Sequence, residues 1–293
     1  MTRTLIALLV ICHSATIFAE NENLVDKSLR YFATTQSDNG SWIVEDPNLS
    51  SAEWPLVDQN EATTAASGLV VLTFLGAGYD HKTPNRFRKV VKRGLEFLVS
   101  NQQADGLFAP HVWTHALATL AVSEAYAMTN DPALRPVGQS AVDNLLHAQL
   151  RDSQGRARAW GVNNSAAEWH LWSTALTVMA LRSARAGGLT VSNDRIDNSG
   201  MDGARQWLHE QLADGDRPLG VSPGSNEARV GPVGLMMVFA GMRVGDELLD
   251  QRAAAITVES PQFAAAMPNR AAEIWMATLC QFQYGGDEWL AWD

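Results

Sequence analysis

The chain has 293 residues, 46% of them apolar and 18% charged, a balance that places it among folded globular proteins and excludes disordered and fibrous classes. Its 32 acidic and 22 basic residues leave a formal net charge of −10, and no Lys/Arg cluster stands out, so nucleic acid and anionic membrane surfaces are not expected partners. Helix formers dominate and no segment keeps the two-residue alternation of a half-buried strand, so the expected fold class is all-α.

In chain order, the first feature is a targeting signal. Arg3 precedes the apolar run Leu5 to Ile11, and Ala19 stands before the polar stretch Glu20-Asn21-Glu22, the layout of a secretory peptide. Residues 1–19 therefore read as a leader cleaved near Ala19, and 20–293 as one exported domain, periplasmic or extracellular. No later segment reaches the roughly 18 to 20 uncharged residues needed to cross a bilayer, so no membrane span is expected. With Cys12 inside the leader, Cys280 is left alone and no internal disulfide can form.

Beyond the leader the pattern repeats. Tyr31-Phe32-x-x-x-Gln36-x-x-x-Gly40-Ser41-Trp42 returns as Phe97-Leu98-x-x-x-Gln102-x-x-x-Gly106-Leu107-Phe108 with the same internal spacing. Weaker copies lie at Ala141 to Gln149, with Trp160-Gly161 displaced downstream, and at Gly203 to Gln211, where the aromatic is missing. Between the copies lie apolar stretches at Ala62 to Ala77, Val112 to Met128, Leu171 to Leu181, Val233 to Met242 and Ala271 to Tyr284, each reading as a helix. Asn60 and Asn269 suit helix starts, while Gly78, Gly245 and Gly285 suit left-handed C-caps. The sum is about ten helices in about five hairpins.

A Gln side chain offers two donors and an acceptor, enough to tie the end of one helix to the N–H groups opening the next, with an aromatic covering the contact. Stretches such as Ala65-Ala66-Ser67-Gly68 permit close approach, which assigns the apolar helices to an inner layer and the Gln-bearing ones to an outer layer.

These elements, Lys27-Ser28-x-x-Tyr31-Phe32-x-x-x-Gln36-x-x-x-Gly40-x-Trp42 above all, resemble the QW repeat of squalene-hopene cyclases and the related prenyltransferase repeat. The resemblance covers nearly the whole mature chain. It is nearest to exported, planctomycete-type proteins with prenyltransferase and squalene oxidase repeats, through Thr73 to Tyr79, His115 to Ala121, Glu124-Ala125-Tyr126 and Tyr284 to Trp289. What the resemblance implies is an (α/α) toroid with a cavity open at the inner-helix ends. The chemistry of the family does not transfer with it. The Asp-x-Asp-Asp acid of the cyclases is missing, Asp214-Gly215-Asp216-Arg217 reading as a turn. The aspartate-rich magnesium box is missing too, and Cys280 has Thr278 where the prenyltransferase zinc site requires Asp.

Polar and aromatic residues near the inner-helix starts remain as candidates. His115, Glu168, His170 and Glu273 are the candidate acid, base or anchoring groups, and Glu61, His111, Trp113, Trp172 and Trp275 the candidate ligand-binding ones. His111 and His115 share a face four residues apart and would suit a metal, but no third ligand or HExxH pattern accompanies them, so no metal or cofactor is expected. On a helix Glu168 and His170 would point about 200° apart, leaving one inward. Glu61 and Glu273, with Arg270, sit in early helix turns, where the dipole alone could account for the carboxylates. The tryptophans fit either an aromatic-lined cavity or inter-helix packing. The basic stretch His81, Lys82, Arg86, Arg88, Lys89 reads as a solvated helix face. The function expected is an exported, squalene-cyclase-like module that binds an apolar or glycan ligand, or a protein partner. The rival is an enzyme acting on an isoprenoid or polysaccharide, with triterpene cyclisation last.

Overall fold

A computed structural model describes residues 18–44, 58–191, 200–213, 230–266 and 271–292. The described residues are mainly helical, as composition and periodicity lead one to expect. In order they form α1 (Phe18–Thr35), α2 (Gln59–Gly76), α3 (Arg88–Asn101), α4 (Val112–Thr129), α5 (Leu134–His147), β1 (Gln149–Arg151), β2 (Ala157–Trp160), α6 (Leu171–Ala186), α7 (Met201–Ala213), α8 (Val230–Phe239), α9 (Glu247–Ala266), α10 (Ala271–Tyr284) and α11 (Gly286–Trp292). The expected leader falls outside the described residues except for Phe18 and Ala19, which open α1. Asn269, Arg270 and the Asp214 to Arg217 string also lie outside them.

The chain divides into two compact units, residues 1–148 with 183–192, and residues 149–182 with 193–293. In the first unit α2 and α4 pack side by side, with α3 against α2 and α5 against α4. Gly68 is the point of approach, since a Cβ there would lie 3.4 Å from the Leu117 carbonyl. Every residue of α4 from Val112 to Tyr126 is buried, the mark of a helix enclosed on all sides. The N-cap of α2 is Asp58, whose carboxylate accepts the Glu61 N–H at 2.8 Å. The expected cap, Asn60, is instead a helical residue whose carbonyl accepts the Thr64 hydroxyl.

The glutamines fasten the hairpins by the same bonds in successive copies. Gln36 Nε2 donates to the carbonyls of Gly40 (2.9 Å) and Val90 (3.0 Å). Gln102 Nε2 donates to those of Gly106 (3.0 Å) and Val137 (3.0 Å). Each amide therefore links its own turn to the first turns of the next outer helix. The partners are carbonyls, not the N–H groups expected from the sequence, because a helical carbonyl keeps a second lone pair after its ladder bond. Gly40 and Gly106 are both required, each with φ of 91°. A Cβ would stand 2.3 Å from the Arg93 carbonyl oxygen at the first and 2.4 Å from Ser140 Oγ at the second.

The aromatic of each copy is fastened as well. The backbone N–H of Trp42 donates to Ser67 Oγ (3.0 Å), and that of Phe108 to His115 Nδ1 (3.2 Å). The inner helix following each turn thus supplies one polar side chain to hold the loop.

The second unit opens with the third copy. Gln149 Nε2 donates to the carbonyls of Arg158 and Gly200, both at 2.8 Å, and its Oε1 accepts the Gly200 N–H at 2.7 Å. Arg158 stands where Gly40 and Gly106 stand in the earlier copies, two residues before the aromatic. The added residues form the antiparallel β1–β2 hairpin, with Gln149 opposite Trp160, the exception to helical structure among the described residues. Its turn closes on Asp152, whose carboxylate accepts the N–H groups of Gln154 and Arg156. The N–H of Trp160 donates to Thr174 Oγ1 at 3.1 Å, matching Trp42 and Phe108. Helix α8 packs on α10, and Gly231 lets it approach, a Cβ there falling 2.6 Å from the Glu273 carbonyl oxygen. Gln281 fastens α10 to α9 through the Ala253 carbonyl and the Thr257 hydroxyl. Trp289 meets Phe282 edge-on and Trp292 donates to Thr278 Oγ1, which holds α11 to α10.

Candidate functional site

The polar pair that stands out in the first unit joins the starts of α2 and α4. Glu61 lies in the first turn of α2 and His111 is the N-cap of α4. Glu61 Oε1 accepts the backbone N–H of His111 at 3.0 Å, and Oε2 lies 2.9 Å from its ring Nδ1. Both are buried, Glu61 with 3% and His111 with 9% of their surface exposed. A carboxylate placed against two helix N-termini and an imidazole is compensated on each side. The sequence marks both residues but does not show that they meet; a separation of fifty positions gives no periodic signal.

His115 has a different task. Its Nδ1 accepts the Phe108 N–H and its Nε2 donates to the Ala141 carbonyl at 3.1 Å, so both ring nitrogens serve the backbone. At 1% exposure, burial holds the imidazole down at about 4, and the ring stays neutral. The geometry makes it a clasp and leaves no ring nitrogen for proton transfer. His111 and His115 do not face a common ligand either, and among the described residues no three His, Cys, Asp or Glu side chains gather to hold a metal ion.

In the second unit, Glu168 is exposed on the loop before α6, and His170 is the residue preceding that helix. His170 Nδ1 takes the Ser173 N–H at 3.3 Å and lies 2.9 Å from Ser173 Oγ, a capping arrangement. Neither residue is helical, so the angular argument made from the sequence does not apply to them. Glu273 is buried in the first turn of α10, beside the close approach of α8. Trp113 and Trp172 are buried two positions after His111 and His170, and Trp275 is half-buried. The repeat thus extends into the inner helices as His-x-Trp, a signal that the Gln spacing alone does not reveal.

Sequence reasoning missed two further groups. Glu124 is the lone charge in the run Val112 to Met128. It is 7% exposed, accepts the Ser183 hydroxyl at 2.6 Å, and burial pushes its carboxyl up to about 7. The second group lies in the basic stretch expected to be a solvated face. His81 is buried with Nε2 2.9 Å from Asp131 Oδ2, Lys82 pairs with the same carboxylate at 3.2 Å, and Arg86 pairs with Asp26 and donates to the Tyr79 hydroxyl. Only Arg88 and Lys89 lie on a helix, α3. The rest form the turn before it, where acids from neighbouring elements reach them.

Among the described residues, no helix is long and apolar enough to cross a membrane. Comparison with known protein families, characterised proteins and solved structures yields no match.

Proposed function

We propose that the chain is an exported ligand-binding or interaction module of the squalene-cyclase-like kind, its helical hairpins closing into a toroid without the cyclase acid motif. The fastening glutamines support the hairpin part of this reading, since Gln36 and Gln102 take the same pair of carbonyls in consecutive copies. The binding part rests on one observation: Glu61 holds His111 by Nδ1 and by its backbone N–H at the inner-helix starts, leaving the far side of the ring unclaimed. A positioned polar group beside apolar walls fixes a ligand's orientation. Thermal-shift screening of the mature protein against polyprenyl and glycan probes tests it. Stabilisation that disappears in His111→Gln supports the reading, and no stabilisation by any probe removes it in favour of a protein partner.

The same pair favours a second reading. A carboxylate behind an imidazole is an arrangement that poises a base, so an enzyme acting on an isoprenoid or polysaccharide is the alternative. Product formation from a bound probe, lost in His111→Gln with binding kept, would select it.

A further inference from the structure

The Glu61–His111 pair also limits what kind of chemical group the site accepts, an inference that rests on the binding reading above. A carboxylate only accepts hydrogen bonds, so the 2.9 Å contact to Glu61 Oε2 sets the ring proton on Nδ1. When that ring is neutral, Nε2 carries a bare lone pair. That nitrogen has no hydrogen bond to any described residue, and it is not among the sealed polar atoms. The 11% exposure left to the side chain is therefore an opening that reaches it. Three residues along α4, the Thr114 hydroxyl is fully buried and has no partner among the described residues.

We propose that this site takes an uncharged hydroxyl-bearing ligand, an alcohol or a neutral sugar, whose O–H donates to His111 Nε2, and that it rejects the phosphorylated or carboxylated counterpart. An ionised oxygen has no proton to give Nε2. It would also face the Glu61 charge across the width of one imidazole, where burial limits screening.

The test uses the full mature chain and two matched pairs of probes: farnesol with farnesyl monophosphate, and cellotetraose with the same tetramer oxidised to the uronate at C6. Long-range proton–nitrogen correlation of the imidazoles, with His111→Gln to assign the resonance, reads the tautomer near neutral pH. The expected result is a proton on Nδ1 and none on Nε2, with the Nε2 resonance moving when the neutral probe binds. In at least one pair the neutral member binds tenfold or more tightly than the charged one, and Glu61→Gln narrows that gap to less than threefold. A proton on Nε2, with or without one on Nδ1, or a charged probe that binds as well as its neutral partner, overturns the inference. If none of the four probes binds and the proton is on Nδ1, it is the binding reading that has failed and the inference falls with it. Should Glu61→Gln not fold, the wild-type tautomer and the wild-type probe pairs decide the matter.

Discussion

Replacing Glu124 by Gln should change how stability depends on pH more than it changes stability itself. The carboxyl is raised from an ordinary 4.5 to about 7 by burial, against which the Ser183 hydrogen bond works. The folded chain therefore keeps a proton that the unfolded chain releases, and stability contributed by Glu124 is full below about 4.5, falls as pH rises, and is gone above about 7. The loss across that window is about 3 kcal/mol, at about 1.4 kcal/mol per unit. His115 acts in the opposite sense. Burial lowers it from 6.5 to about 4, so the unfolded chain gains the proton first and stability is lost as pH falls through that interval, again by about 3 kcal/mol. In the wild type the two slopes overlap and cancel between about 4.5 and 6.5. Gln is neutral at every pH and still accepts from Ser183 Oγ. Glu124→Gln should therefore match the wild type near pH 4, exceed it by up to about 3 kcal/mol at pH 8, and expose the acid-side slope of His115. Melting curves from pH 4 to 8 measure this, with a gain of roughly 6 to 12 °C at the alkaline end. Wild-type and variant profiles that run parallel across the range would refute the reasoning.

The fastening glutamines supply further predictions. Gln102→Ala removes donors to two carbonyls and should cost about 2 to 4 kcal/mol by chemical denaturation. Gln102→Glu should cost at least as much, because a carboxylate cannot donate. Gly40→Ala should destabilise by more than about 2 kcal/mol, since the new Cβ meets the Arg93 backbone, whereas Gly78→Ala, with φ of 83° and open space, should lose only about 1 kcal/mol. Cys280 is fully buried and its thiol is pushed up to about 12 by burial, so alkylation at pH 8 should proceed only as fast as the second unit opens. Labelling at the rate of a free thiol would contradict that packing.

What the sequence made legible follows the range of each interaction. Gln36 and Gln102 stand at a fixed distance from Gly and aromatic residues, so the local half of each clasp shows as spacing. The distant half, Val90 or Val137, is an ordinary apolar residue lending its carbonyl, which no side-chain pattern records. The third copy is obscured because the β1–β2 hairpin moves Trp160 away from Gln149 while the fastened carbonyl, now that of Arg158, keeps its place two residues before it. At the candidate site, helical spacing put His111 and His115 on one face, but the Phe108 amide claims one ring and Glu61 the other. Glu168 and His170 were weighed as helical residues, whereas α6 begins only at Leu171. Glu124 left a plain mark as an acid within an apolar run, and only coordinates bring Ser183 to it.

The account rests on the half-buried glutamine amides being donors held between two turns. Proton exchange of the Gln102 side-chain carboxamide, followed by NMR in the folded protein, tests this most directly. Both hydrogen bonds at 3.0 Å should slow its exchange far below that of the exposed Gln154 amide, and the same should hold for Gln36. Exchange of Gln102 at the rate of Gln154 would contradict the clasp and the hairpin architecture built on it.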